Sequence, residues 1–168
     1  KGKGRNFGHL KGVEAVKRTV KASIKLNIPI ITFYVFSSEN WKRPRNERSY
    51  LFKLIKSYFS KEIKSIIKQG IKINILGEVK KFSSDLKTTL KKTSILTNKN
   101  KKIIVNLAIN YGSKAEIFQA LKKTKKLTYK NFEKNLYTKN MPDPDILIRT
   151  GGYKRLSNFL LWQLAYTE

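Results

Sequence analysis

The run from residue 28 to 36, Ile-Pro-Ile-Ile-Thr-Phe-Tyr-Val-Phe, is apolar almost throughout and shows no period-two alternation. A strand with one wet face alternates, whereas a run like this suits a strand covered on both faces, as in a parallel sheet. Shorter apolar runs recur at 71–76, 103–109 and 146–148. Between them lie stripes at helical spacing: Val13, Val16, Val20 and Ile24; then Phe52, Ile55, Phe59, Ile63 and Ile66, ending near Gly70. Phe82, Leu86 and Leu90 follow a polar Ser83-Ser84-Asp85 start, and a further helix begins after Gly112-Ser113. Strands alternating with helices predict an α/β fold, one domain over residues 1–168, with a mainly parallel sheet flanked by helices. Strands near 30–36, 71–76, 103–109 and 146–149 are expected to lie parallel, with Asn40, Asn110 and Arg149 at one edge. An apolar helix is expected after Asn158. Residues 122–140 carry the weakest pattern and read as a helix and loops.

Polar clusters sit where these elements change over, and ligands of open α/β sheets bind at the carboxyl ends of strands. Gly2, Gly4, Arg5, Gly8 and His9 precede the first helix. They read either as a phosphate cradle at a helix N-terminus or as a flexible end. Ser37-Ser38-Glu39-Asn40-Trp41-Lys42-Arg43-Pro44 follows the longest run. It reads either as a ligand loop or as an ordinary connection with Trp41 in the core. Asn110-Tyr111-Gly112-Ser113 reads either as a site or as turn chemistry at a helix start. After residues 146–148 come Arg149, Thr150-Gly151-Gly152, Arg155, Ser157 and Asn158. The glycines let backbone approach an anion, and arginines contact its oxygens two at a time.

Composition removes several alternatives. There is no cysteine, so disulfides and thiolate metal sites are excluded, and the single histidine, His9, excludes a multi-histidine centre. No apolar run reaches bilayer length, and none has the form of a secretory h-region. The formal charge of +26 fits a polyanion partner. It equally fits a genome whose codon bias enriches lysine, isoleucine and asparagine, and the lysines are dispersed along the chain. A basic nucleic-acid-binding domain without catalysis is the rival reading. It accounts for the charge, but not for glycine, arginine and Ser/Asn recurring at strand ends.

The stretch from Asp145 to Glu168, together with Ser37-Ser38-Glu39-Asn40-Trp41 followed by Arg43-Pro44, resembles the signatures of the cis-prenyltransferases. The resemblance covers the whole chain and is weakest at 122–140. It implies sequential cis-condensation of isopentenyl diphosphate onto an allylic starter, farnesyl diphosphate, to a long polyprenyl diphosphate that carries cell-wall glycans. It implies that Arg5 and His9 hold the allylic diphosphate, that Asn40 lies near the reacting carbons, that Trp41 and Arg43 shape a mobile loop over the substrates, and that Glu47 is a further functional acid. Arg149, Arg155 and Ser157 are implied to hold isopentenyl diphosphate, and Glu168 to bind Mg²⁺. A cytoplasmic homodimer is implied, with peripheral contact to an anionic membrane as a further possibility and no nucleic-acid partner. The family's aspartate-glycine-asparagine-glycine-arginine-tryptophan loop, source of its principal catalytic acid, would precede Lys1. The chain therefore reads as a fragment, and on its own it is expected to bind diphosphates weakly without condensing them.

Overall fold

The computed structural model describes residues 5–168, with side chains from Phe7 onward. Helix α1 (Arg5–Lys25) leads into strand β1 (Ile30–Ser37), a short 3-10 turn (Ser38–Lys42) and the long helix α2 (Arg45–Lys68). Then come β2 (Ile71–Leu76), α3 (Ser84–Thr97), β3 (Ile103–Tyr111), α4 (Ser113–Lys123) and the single turn α5 (Tyr129–Glu133).

The three strands form one sheet in the order β1-β3-β2, and both pairings are parallel. The most apolar run thus pairs with the central strand, β3, whose residues from Val105 to Tyr111 are all buried. On one face, Ile71, Ile73, Ile103, Val105, Leu107 and Ile109 pack with Val20 of α1, Leu51, Ile55 and Phe59 of α2, and Leu86 and Leu90 of α3. Those helical residues are the spaced stripes of the sequence, turned inward. The other face carries a polar row, in which Asn106 Nδ2 donates to Thr32 Oγ1 at 3.1 Å and Asn74 Nδ2 to Asn106 Oδ1 at 3.1 Å. Above it, Leu76, Ala108 and Tyr111 are covered by Phe159 and Leu160.

Two expected elements do not form. Residues 146–149 make no strand: Ile146 and Ile148 are 69% and 83% exposed. The segment's backbone finds one partner, Glu168, whose N–H bonds Asp145 O at 3.2 Å and whose carbonyl accepts from Leu147 N at 2.7 Å. That is a single parallel bridge, and strand structure needs a ladder. The helix expected after Asn158 is replaced by turns. Ser157, Asn158 and Leu160 have φ values of 53, 62 and 42°, in the left-handed region where no right-handed helix can run.

Candidate active site

The strand ends meet at the carboxyl edge of the sheet. Gly77, at the end of β2, has φ of 121°, and a Cβ there would lie 2.3 Å from Ile109 O. Only glycine lets β2 close so tightly on the end of β3. Asn110, also left-handed at φ 49°, accepts Trp41 Nε1 at 2.7 Å and donates to Glu78 O at 2.5 Å. One amide therefore ties the turns after β1, β2 and β3 together. Trp41 is half-buried against Phe36, Phe52 and Phe82, with the Arg48 guanidinium 5.1 Å from its ring. The Trp41 indole packs into the core, as the ordinary-connection reading expects, and its loop borders the edge.

The segment after Arg149 joins the same edge through Asn158. Its side chain donates to Glu39 Oε1 at 2.8 Å and accepts Lys114 N at 2.9 Å, while its carbonyl accepts Ser113 N at 2.8 Å. Gly112 precedes α4 and has no side chain to cap it, so Asn158 caps the helix from 44 residues away. A Cβ on Gly112 would meet Ser38 Oγ at 2.5 Å and Asn158 Nδ2 at 2.7 Å. Tyr34 completes the junction, its hydroxyl donating to Tyr111 O at 3.2 Å and Ser157 O at 3.3 Å. Burial, with the nearby Glu39 charge, pushes the Tyr34 hydroxyl up to about 12, which keeps it a neutral donor. Desolvation would raise the Glu39 carboxyl, but the bonds from Asn158, its own backbone and the neighbouring serines outweigh it and hold it below the ordinary range.

The predicted site residues fall into two groups. His9 Nε2 lies 3.4 Å from Glu47 Oε1, and an Arg43 guanidinium nitrogen lies 3.1 Å from the same oxygen. Glu47 is buried, so a carboxylate sits between a histidine and an arginine drawn from α1 and the loop before α2. Arg149 donates to the carbonyl of Arg155 and to Ser157 Oγ at 2.9 Å, and Arg155 lies over the Tyr153 ring at 4.4 Å. This second group is exposed. Asn40, in the 3-10 turn, accepts Ser37 N at 3.3 Å. His9 lies within α1, one turn from its start, and not in a loop before it. Arg5 opens that helix; its side chain, with Gly2 and Gly4, lies outside the described residues. Sequence reasoning placed Asn158 in this cluster but missed its role as the staple, because no local pattern marks a cap supplied from a distant segment.

Beside His9 opens a cleft of about 260 Å³. Gly8, Gly12, Val13 and Val16 of α1, Tyr58 and Phe59 of α2, and Phe33 and Leu107 of the sheet are among its walls. It can exclude water from an apolar chain whose charged head remains at the strand edge. Among the described residues no group of three or more His, Asp, Glu or Cys side chains could hold a metal ion. Glu168 is exposed. One carboxylate does not make a magnesium site, so these residues do not by themselves fit the ion.

Comparison with known proteins identifies the family and the fold. The prenyltransferase family model, that of undecaprenyl diphosphate synthase, matches residues 1–168. An isoprenyl transferase from Prochlorococcus marinus is 42% identical over all of this chain and 66% of its own length. A ditrans,polycis-undecaprenyl-diphosphate synthase, (2E,6E)-farnesyl-diphosphate specific, from Vibrio vulnificus is 40% identical over 100% of this chain and 71% of its own. The chain thus spans about two thirds of the Prochlorococcus relative and somewhat more of the Vibrio one. The crystal structure of lavandulyl diphosphate synthase from Lavandula x intermedia, in complex with dimethylallyl diphosphate, superposes with a TM-score of 0.91 at 27% identity, covering 97% of this chain and 75% of that one. None of these relatives supports the nucleic-acid-binding alternative. With the family model matching the whole chain and relatives about 40% identical over all of it, the chain belongs to the undecaprenyl diphosphate synthase family of cis-prenyltransferases.

Proposed function

We infer that the protein carrying this chain condenses isopentenyl diphosphate repeatedly onto farnesyl diphosphate, forming new cis double bonds, and releases a long polyprenyl diphosphate. In this reading the product is undecaprenyl diphosphate, the product named for the Vibrio vulnificus relative, and it would serve as a carrier for cell-wall glycans. The observation that carries the reading is the apolar cleft opening at His9, beside the Arg43–Glu47 pair, at the edge that also holds Arg149 and Ser157. In this reading His9, Arg43 and Arg5 hold the allylic diphosphate, and the cleft takes its hydrocarbon. Arg149, Arg155 and Ser157 hold isopentenyl diphosphate, and Asn40 and Trp41 border the reacting carbons. Two diphosphates require two basic sites, and charge-assisted contacts are the strong ones.

The reading includes Mg²⁺, because prenyl diphosphate synthases generally need a divalent ion. Glu168 would supply one carboxylate to it, with substrate phosphates and water making up the remaining ligands. The reading also includes a cytoplasmic homodimer. Phe159 and Leu160 are buried in this chain's own core, and Trp162 packs on Phe132. Ile146, Ile148, Tyr153, Leu156 and Tyr166 are exposed in that region and available to a partner. The test is incorporation of labelled isopentenyl diphosphate, with farnesyl diphosphate and Mg²⁺, by the protein at its relatives' full length. Mg²⁺-dependent polyprenyl product is expected, and its absence would refute the reading.

A further inference from the structure

The amino edge of the sheet, opposite the site, has a composition that the condensation reaction does not use. Three connections meet there, held by backbone bonds from Lys102 N to Gly70 O at 3.0 Å and from Ile104 N to Pro29 O at 2.8 Å. Asn100 Nδ2 adds a bond to Ile71 O at 2.7 Å. The last turns of α1, α2 and α3 end on this rim. Leu26 is 71% exposed and Ile95 63%, and Ile28, Ile67 and Leu96 are exposed beside them. Between these apolar side chains stand Lys25, Lys64, Lys68, Lys99, Lys101 and Lys102, all exposed. Residues 15–38, 63–77 and 86–115 contain no Asp or Glu, so none of the three connections brings a carboxylate to the rim. The three helix carboxyl ends contribute about half a negative charge each, which six full positive charges exceed several-fold.

We propose that this rim is a docking surface for an anionic lipid bilayer, with the leucine and isoleucine side chains entering the interface and the lysines on the headgroups. Dispersed codon-biased lysine would leave carboxylates and apolar residues mixed at random; here lysines and exposed apolar residues converge on three connections that carry no carboxylate. Exposed apolar side chains favour a lipid over another polyanion, since they gain nothing from a phosphate backbone and much from an acyl boundary. The orientation is functional: Val16, a wall of the cleft, lies on the same helix stripe as Val20 and Ile24, which leads to Leu26 at the rim. A hydrocarbon lengthening away from the carboxyl edge therefore points toward the bilayer. That last step rests on the polyprenyl reading above; the docking itself does not.

The experiment is sedimentation of the full-length protein with vesicles of phosphatidylcholine containing about one third phosphatidylglycerol, against phosphatidylcholine alone, with no isoprenoid present. Binding to the anionic vesicles only is expected. The combined variant Lys68→Gln, Lys99→Gln and Lys101→Gln is expected to weaken it about a hundredfold, from roughly fivefold per surface lysine. Lys125→Gln, Lys126→Gln and Lys130→Gln, three lysines elsewhere, should change it little. Leu26→Ser with Ile95→Ser should weaken vesicle binding while leaving retention on a duplex oligonucleotide unchanged. Far-ultraviolet circular dichroism and thermal melting confirm that each variant is folded. No vesicle binding, equal loss from both lysine sets, or no effect of the serine pair would overturn the proposal. Because no substrate is used, these outcomes stand apart from success or failure of condensation.

Discussion

Replacing Gly112 by alanine probes the convergence of the strand-edge segments directly. The backbone at Gly112 has φ of −156°, which any residue adopts, so the cost comes from space alone. The new methyl would stand 2.5 Å from Ser38 Oγ and 2.7 Å from Asn158 Nδ2, both far below contact distance. Both obstacles are side-chain ends and can turn away. When Asn158 turns, it releases Glu39 and the N–H of Lys114. The first is a charge-assisted bond at an exposed carboxylate, about 1 kcal/mol after solvent screening. The second is a helix cap, about 1 kcal/mol. The expected loss of about 2 kcal/mol corresponds to a fall in Tm of roughly 4–8 °C for a chain of this size. Asn158→Gly, tolerated at its left-handed φ of 62°, should cost a similar amount by losing the same bonds. The two changes should then be far from additive, with the double variant little worse than either single one. Urea and thermal unfolding of the four proteins measure the cycle. Strict additivity would mean that Asn158 does not meet Gly112, and the description of the edge would fail.

Gly77→Ala should cost more than Gly112→Ala, above about 3 kcal/mol, because a backbone carbonyl at 2.3 Å cannot turn away and φ is positive; an equal or smaller loss in unfolding experiments would contradict this. In the full-length protein Arg149→Ala or Arg155→Ala should weaken isopentenyl diphosphate by about ten- to a hundredfold, from 1.5–3 kcal/mol per charge-assisted contact, and farnesyl diphosphate less; equal losses in binding assays would show the two sites to be misassigned. The Glu39 carboxyl is held below its ordinary 4.5, so its stabilising contribution is present above that pH and is lost as pH falls through the lower folded value. Asn158→Ala should reduce that acid-side loss, and an unchanged pH profile of stability would exclude the Glu39–Asn158 bond as its source. Size-exclusion chromatography of the full-length protein should give a dimer, and a fully active monomer at micromolar concentration would refute the assembly.

The three strands that formed were legible because each is an apolar run with a partner on both sides or a covered face: β1, β2 and β3 lie within a residue or two of the expected 30–36, 71–76 and 103–109. Residues 146–149 have the same composition, yet Ile146 and Ile148 stay exposed, because apolar character does not supply a ladder partner. Helical spacing after Asn158 misled for a different reason: three left-handed residues interrupt the chain, and hydrophobic periodicity carries no record of φ. Helix α2 starts well before its first striped residue because Pro44 ends an extended connection and Arg45 can begin a helix at once. At the site, the clusters were legible as local motifs and their meeting at one edge was expected, but the contacts that join them were not. The His9–Glu47–Arg43 contact spans 38 residues and the Asn158 cap spans 44, and nothing local to either segment announces the other.

The central claim, that the cleft between α1, α2 and the sheet holds the hydrocarbon while its diphosphate stays at the strand edge, is tested most directly by photoaffinity labelling. A farnesyl diphosphate analogue bearing a photoreactive group at its distal end would be bound, irradiated and mapped by peptide mass spectrometry. Labelling is predicted at Val16, Tyr58 and Phe59, deep along the cleft walls, and should be competed by unlabelled farnesyl diphosphate. Labelling confined to α4, or spread over the surface without competition, would contradict the account.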